Sequence, residues 1–105
     1  MNDIPMIRSA EVAAAQASGR PVVALESTII THGMPYPQNL SVASQVEDDL
    51  RGMGVTPATI AVIDGVLHIG LEDATLETLA QAKAVSKLSR ADIAACLATK
   101  GTGAT

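Results

Sequence analysis

The sequence predicts an α/β domain in which helices and strands alternate in layers. Three observations carry that prediction. Two β-branched apolar runs, residues 21–25 and 59–63, are short and uninterrupted, which suits strands buried between helices. Between them, Leu40, Ala43, Val46, Leu50 and Met53 recur at three- and four-residue steps, one face of a helix. Directly after the second run, Asp64-Gly65 marks a tight hairpin, because a primed turn needs positive φ at both central residues.

Each element follows from its residues. Residues 1–8 form a lead-in in which 4–7 can add an edge strand. Ser9 suits a helix N-cap with Glu11 in the first turn, and Gly19 ends that helix. The run 21–25 predicts a strand covered on both faces that stops at Glu26, and Ile29 and Ile30 then resume apolar character. A long helix should follow Pro37, with Glu47, Asp48, Asp49 and Arg51 mostly on a solvated side and Gly52 and Gly54 ending it. Residues 66–70 make the return strand of the hairpin, with His68 facing solvent. Glu72 or Asp73 opens a helix that carries Leu76, Leu79 and Ala80 inward. Residues 84–88 are a short extended piece, and Ser89-Arg90-Ala91-Asp92 resembles a capping box with Asp in place of Glu. The helix 91–99 ends at Gly101, with Lys100 against the negative end of its dipole. The small residues 101–105 complete no element.

The 105 residues suffice for one small domain. With one Tyr, no Phe, no Trp and 18 Ala, the core is thin for its length. That composition fits a chain that is incomplete or packs on more protein, and it equally fits an Ala-rich genome. The net charge is −4 with scattered cations, which argues against nucleic-acid binding through phosphates. A single cysteine, Cys96, permits no disulfide and no cysteine-based metal site within one copy, and its apolar surroundings predict a buried thiol. No run of about 18 apolar residues is present to span a membrane. The first residues do not read as a signal peptide, so the cytoplasm is the expected compartment.

The chemistry-bearing residues cluster after the first strand. A carboxylate ending a buried strand, as Glu26 does, is costly unless it is partnered or its pKa is displaced, and either outcome suits acid–base work. A salt bridge or a cap on the loop is the structural alternative. Ser27, Thr28 and Thr31 offer hydroxyls for a phosphate or sugar, or for the local backbone. His32 before Gly33 suits a ligand contact or a turn, and Asn39 suits a cap on the next helix, whose N-terminus is a natural anion site. Lys87, with Arg90 three residues on, suits a phosphate or carboxylate partner or a plain surface. Gly101-Thr102-Gly103 lacks the spacing of a phosphate loop. These residues alone specify no reaction.

The stretch Ala24-Leu25-Glu26-Ser27-Thr28-Ile29-Ile30-Thr31-His32-Gly33-Met34-Pro35-Tyr36-Pro37-Gln38-Asn39-Leu40 resembles the N-terminal signature of the pseudouridine-5'-phosphate glycosidases, the family that includes indigoidine-synthase A-type proteins. Segments 54–65, 85–92 and 99–105 agree with it in order. The resemblance implies a three-layer α/β/α fold of the indigoidine-synthase A-like type. In it residues 1–105 would be the N-terminal part of a single domain whose C-terminal part is absent. It implies reversible cleavage of the C–C glycosidic bond of pseudouridine 5'-phosphate to uracil and ribose 5-phosphate, a hydro-lyase reaction of nucleotide breakdown that needs a divalent metal, typically Mn²⁺. It further implies a lysine that holds the opened ribose as a Schiff base while a carboxylic acid protonates the leaving uracil carbon.

Residue by residue, Glu26 matches the family's proton donor and Lys87 its substrate-binding lysine. Thr28, His32 and Asn39 stand as further candidate substrate contacts. The nucleophilic lysine, the metal-binding aspartate and the main phosphate-binding segment of the family fall beyond Thr105, so no metal ligand is expected in this chain. Lys100 belongs to a different family segment and does not replace the nucleophile. Arg90-Ala91-Asp92 stands where relatives often carry Arg-Arg-Asp. The resemblance further implies a homotrimer at full length, a small-molecule substrate, and a fragment that is inactive by itself. Two other readings stand beside it: a pigment-biosynthesis relative of the family, and a non-catalytic fragment or assembly module.

Overall fold

A computed structural model describes residues 4–105. The order of elements is β1 (Met6–Arg8), α1 (Ala10–Ala17), β2 (Val22–Leu25), a π-helical turn (Ile29–Gly33), α2 (Gln38–Gly52), β3 (Thr56–Ile63), β4 (Val66–Ile69), α3 (Asp73–Gln81), β5 (Ser86–Lys87), α4 (Ile93–Ala98) and β6 (Gly103–Ala104). The lead-in reading of residues 1–3 lies outside the described residues.

β3 is the axis of the sheet. It pairs antiparallel with β4 on one edge, and β1 adds parallel to β4. On its other edge β3 takes two short strands in succession: β2, parallel, along Thr56–Thr59, then β6, antiparallel, at Ala61 and Val62. β5 adds parallel to β6. The hairpin between β3 and β4 is the predicted one, with Asp64 at φ 49° and Gly65 at φ 79°. β3 begins at Thr56, earlier than its apolar run suggested, and passes through Pro57. That proline is tolerated because Thr56 N–H points at Pro21 of the β2 side, so the N–H that Pro57 lacks would face the other edge, where β4 has no partner residue.

Helices lie on both faces, giving three layers. On one face α2, α3 and the π turn pack Ile30, Ala43, Leu76, Leu79 and Ala80 onto Ala61. On the other, α4 sets Cys96, Ile93 and Leu97 around Val62 and Leu88. Cys96 is accordingly buried, as expected. α1 starts at its Ser9 cap, whose hydroxyl accepts from Val12 N–H.

Several expectations are corrected. The strand ending at Glu26 is not covered on both faces: Val23 is 40% exposed and Ala24 is exposed, and among the described residues β2 pairs only with β3. Glu26 itself is exposed, so burial imposes no cost on it. The inward face of α2 is rotated from the apolar pattern: Asn39, Ala43 and Glu47 are buried, while Val46 and Met53 lie open. Glu47 is not solvated. Its carboxylate is 3% exposed, accepts the Thr59 hydroxyl at 2.7 Å and pairs with Arg51 at 3.2 Å. His68 is half-buried opposite Ala61, on the side of α3, and this burial lowers its pKa. The capping box at Ser89 forms in part. Asp92 accepts both Ser89 N–H and Ser89 O–H, which lowers its pKa, and the helix starts at Ile93 rather than Ala91. Residues 101–105 do complete an element, since Gly103–Ala104 is a strand between β3 and β5.

Candidate active site

Glu26 and Lys87, sixty-one residues apart in sequence, lie on either side of the end of β6. β2 runs toward Ile60 from one end of β3 and β6 runs toward it from the other. The two strand ends meet there, where Ser27 N–H donates to Thr105 C=O at 2.6 Å. Lys87 stands in register with Ala104 on the far side of β6. Glu26 and Lys87 therefore flank the end of one two-residue strand. Register also sets the face. Lys87, Ala104 and Ala61 form one row on the side that carries the π turn.

The π turn closes over this end of the sheet. It starts where Ser27 C=O accepts from Ile30 and Thr31 N–H. His32 ties the turn to the approach of β5: Nε2 bonds Val85 C=O at 3.1 Å, and Nδ1 lies 2.6 Å from the Thr31 hydroxyl. A carbonyl only accepts, so Nε2 donates to Val85. Thr28 is half-buried at the start of the turn, and its side chain makes no hydrogen bond among the described residues.

Asn39 has a different place from the one its sequence position suggested. It lies inside α2, not at its cap, and is 2% exposed. Both amide hydrogens are spent, on Ile30 C=O and Ala80 C=O at 2.8 Å each, and Oδ1 accepts Leu40 N–H. It fixes the π turn to α3. The start of α2 is likewise no open anion site: Asn39 and Ser41 N–H donate to Pro35 and Pro37 C=O, and Leu40 N–H to Asn39.

Two clefts border the pair. Glu26 edges an apolar one of about 200 Å³ formed by Leu25, Ile29, Ile30, Val46 and Thr59. Lys87 edges an open one of about 420 Å³ with Asp92, Cys96, Thr99 and Gly101. A larger cleft, about 520 Å³ beside α2 and α3, contains neither residue and is ringed by carboxylates. Among the described residues no group of three or more His, Cys, Asp or Glu side chains is arranged to hold a metal ion. The residue that sequence reasoning undervalued is Ser27. Its hydroxyl was one of several in the loop, and only the meeting of β2 with β6 distinguishes it.

A mixed sheet covered by helices on both faces makes this a layered α/β protein, with Glu26 and Lys87 as its candidate site residues. The particular family follows from comparison. The family model described as "Indigoidine synthase A like protein" matches residues 11–105, and the chain belongs to that family. It is 78% identical over its full length to the pseudouridine-5'-phosphate glycosidase of Roseobacter denitrificans, of which it covers 34%. It is 64% identical over 97% of its length to the pseudouridine-5'-phosphate glycosidase of a Jannaschia species, again covering 34%. The chain thus spans about a third of the length of these relatives. Among solved structures it is similar to the prealnumycin C-glycosynthase AlnA in complex with ribulose 5-phosphate, with a TM-score of 0.82 and 42% identity over 99% of this chain and 33% of that one. An indigoidine synthase A-like protein of Thermotoga maritima shares the fold, with a TM-score of 0.83 at 23% identity over 100% of this chain and 34% of that one.

Proposed function

We propose that this chain is the N-terminal part of a pseudouridine-5'-phosphate glycosidase, which hydrolyses the C–C glycosidic bond of pseudouridine 5'-phosphate reversibly to uracil and ribose 5-phosphate. The observation that carries the reading is the 78% identity over the full chain to a relative of that name, with Glu26 at the end of β2 and Lys87 on β5 as the residues that would serve it. The leaving group is a carbon, so it departs only when that carbon gains a proton. Glu26, exposed beside an apolar wall, delivers the proton. Lys87 holds an anionic part of the substrate on the other side of the strand. Thr28 has a hydroxyl free for substrate among the described residues, while His32 acts by tethering the turn and Asn39 by supporting it.

The lysine that carries the sugar as a Schiff base belongs to the part of the family pattern outside these residues. The same holds for the Mn²⁺ ligands. Among the described residues no cluster of carboxylates, histidines or thiols is placed to hold that ion. On this reading the 105-residue chain alone releases no uracil, the full-length protein is a trimer, and the cytoplasm is its compartment. A second reading, a C-glycoside-forming relative, is favoured by the 42% identity to the C-glycosynthase. Its ribulose 5-phosphate complex supports a pentose phosphate as the shared ligand class. The test is uracil release by the full-length protein and its Glu26→Gln variant. Loss of turnover with circular dichroism unchanged supports the proton donor; near-normal turnover in the variant refutes it. C-glycoside formation without uracil release would favour the second reading.

A further inference from the structure

We infer that Ser27 is a positioning residue for the acid that precedes it, an inference that rests on Glu26 being the proton donor. The backbone groups of β3 face its two edges alternately. Gly70 N–H donates to Thr59 C=O, so the groups of Thr59, Ala61 and Ile63 face β4, and those of Ile60 and Val62 face the opposite edge. On that edge β6 is in register at Val62 and Ala61, and one rung further would join Thr105 N–H directly to Ile60 C=O. The Ser27 hydroxyl stands in that rung instead. Its Oγ donates to Ile60 C=O at 2.6 Å and accepts from Thr105 N–H at 3.2 Å, while Ser27 N–H donates to Thr105 C=O at 2.6 Å. Oγ also lies 3.5 Å from Thr105 C=O, but a hydroxyl has one hydrogen and the shorter contact takes it. The side chain is fully buried, so water does not take over either bond.

The relay has a geometric consequence. It holds the end of β6 one hydroxyl away from β3 and ties that end to the residue following Glu26. Lys87 moves with β6, because it is in register with Ala104 and Leu88 N–H donates to Ala104 C=O at 2.7 Å. Without the hydroxyl there are two outcomes: the rung closes directly and draws β6 and β5 toward β3, or a buried carbonyl and amide are left unpaired. Either changes the spacing of Glu26 from Lys87.

The test compares Ser27→Ala, Ser27→Thr and Glu26→Gln in the full-length protein, reading kcat per folded molecule and KM for pseudouridine 5'-phosphate. A displacement on the order of 1 Å costs about 10- to 100-fold in rate, so Ser27→Ala should lose that much kcat with KM little changed. Ser27→Thr, which keeps the hydroxyl, should recover most of it. A purely structural serine would lower thermal stability and leave kcat per folded molecule intact, and that result overturns the inference. So does a threonine variant as impaired as the alanine. If Ser27→Ala does not fold, Ser27→Cys is read in its place, since a thiol fills the volume but relays poorly; if neither folds, the role is structural and the inference falls. A fully active Glu26→Gln removes the proton donor and this inference together, whereas an inactive Glu26→Gln beside a fully active Ser27→Ala removes this inference alone.

Discussion

Replacing Glu47 by alanine should be among the most damaging single changes in this fold, although its neighbours in sequence are surface charges. The carboxylate is 3% exposed and Thr59, its partner on β3, is 2% exposed. Alanine leaves the Thr59 hydroxyl buried without an acceptor, which costs about 1–3 kcal/mol, and removes a charged hydrogen bond. The cost stays below the full 3–5 kcal/mol of a broken buried ion pair, because Arg51 is partly exposed and retains other carboxylates. Arg51 still holds Glu11 through two bonds of 2.8 Å and Asp48 at 2.7 Å. The expected loss is therefore roughly 2–4 kcal/mol. Glu47→Gln keeps an acceptor for Thr59 and should lose about 1–2 kcal/mol. Urea unfolding followed by far-ultraviolet circular dichroism measures both, and each kcal/mol also moves the thermal midpoint of a domain this size by roughly 4–8 °C. Replacing both partners, Glu47→Leu with Thr59→Val, should cost less than the sum of the single changes, because no polar group is then stranded. A Glu47→Ala variant within about 0.5 kcal/mol of the parent, the ordinary range of a surface substitution, would refute the buried bridge.

Two further outcomes follow from the packing around α1. Gly70 has φ +84°, and a Cβ there would press on Ser9 Oγ and stand 2.7 Å from Val12 Cγ2; Gly70→Ala should therefore lose at least about 1–3 kcal/mol from strain and crowding at the α1 cap, read by urea unfolding. Glu11, whose pKa the Arg51 guanidinium holds below its ordinary value of 4.5, binds its proton more weakly folded than unfolded. Its contribution is thus fully present above that ordinary value and lost as pH falls through the lower folded value. The thermal midpoint of the parent should exceed that of Glu11→Gln at neutral pH by a small, salt-sensitive margin that disappears in acid; a margin that persists or grows in acid would contradict the ion pair.

The legible parts of the fold are those in which local pattern and tertiary environment agree. Asp64-Gly65 names its own turn, and the β-branched run of β3 is buried on both sides. The failures have one physical source, which is that burial is decided by partners distant in sequence. Val22–Leu25 reads as a covered strand, yet its cover depends on a neighbour beyond β2 that the described residues do not supply. Glu47 reads as solvated within an acidic run, yet Thr59 and Arg51 let α2 turn that position inward. Gly103–Ala104 has no local strand signal, and becomes one because β3 and β5 both offer it an edge. At the site, Glu26 and Lys87 were each legible from the motifs around them. Their placement on either side of β6 was not, because it is made by that two-residue strand.

So short a strand can set the spacing of the two candidate side chains only if it is held sideways as well as along its hydrogen bonds. Gly103 shows how. A Cβ on it would collide with three atoms of the Leu88 side chain, itself 7% exposed. Leu88 immediately follows Lys87 and belongs with Val62 and Cys96 to the apolar cluster beneath the sheet. The absence of a side chain at Gly103 is therefore what lets Leu88 lie across β6 and lock β5 to it. Backbone bonds fix the register of Lys87 to Ala104, Leu88 fixes the lateral position of that pair, and the Ser27 hydroxyl fixes the far end of β6 to the residue beside Glu26. Within residues 101–105, Gly103 is small because the buried Leu88 side chain occupies the space its Cβ would take.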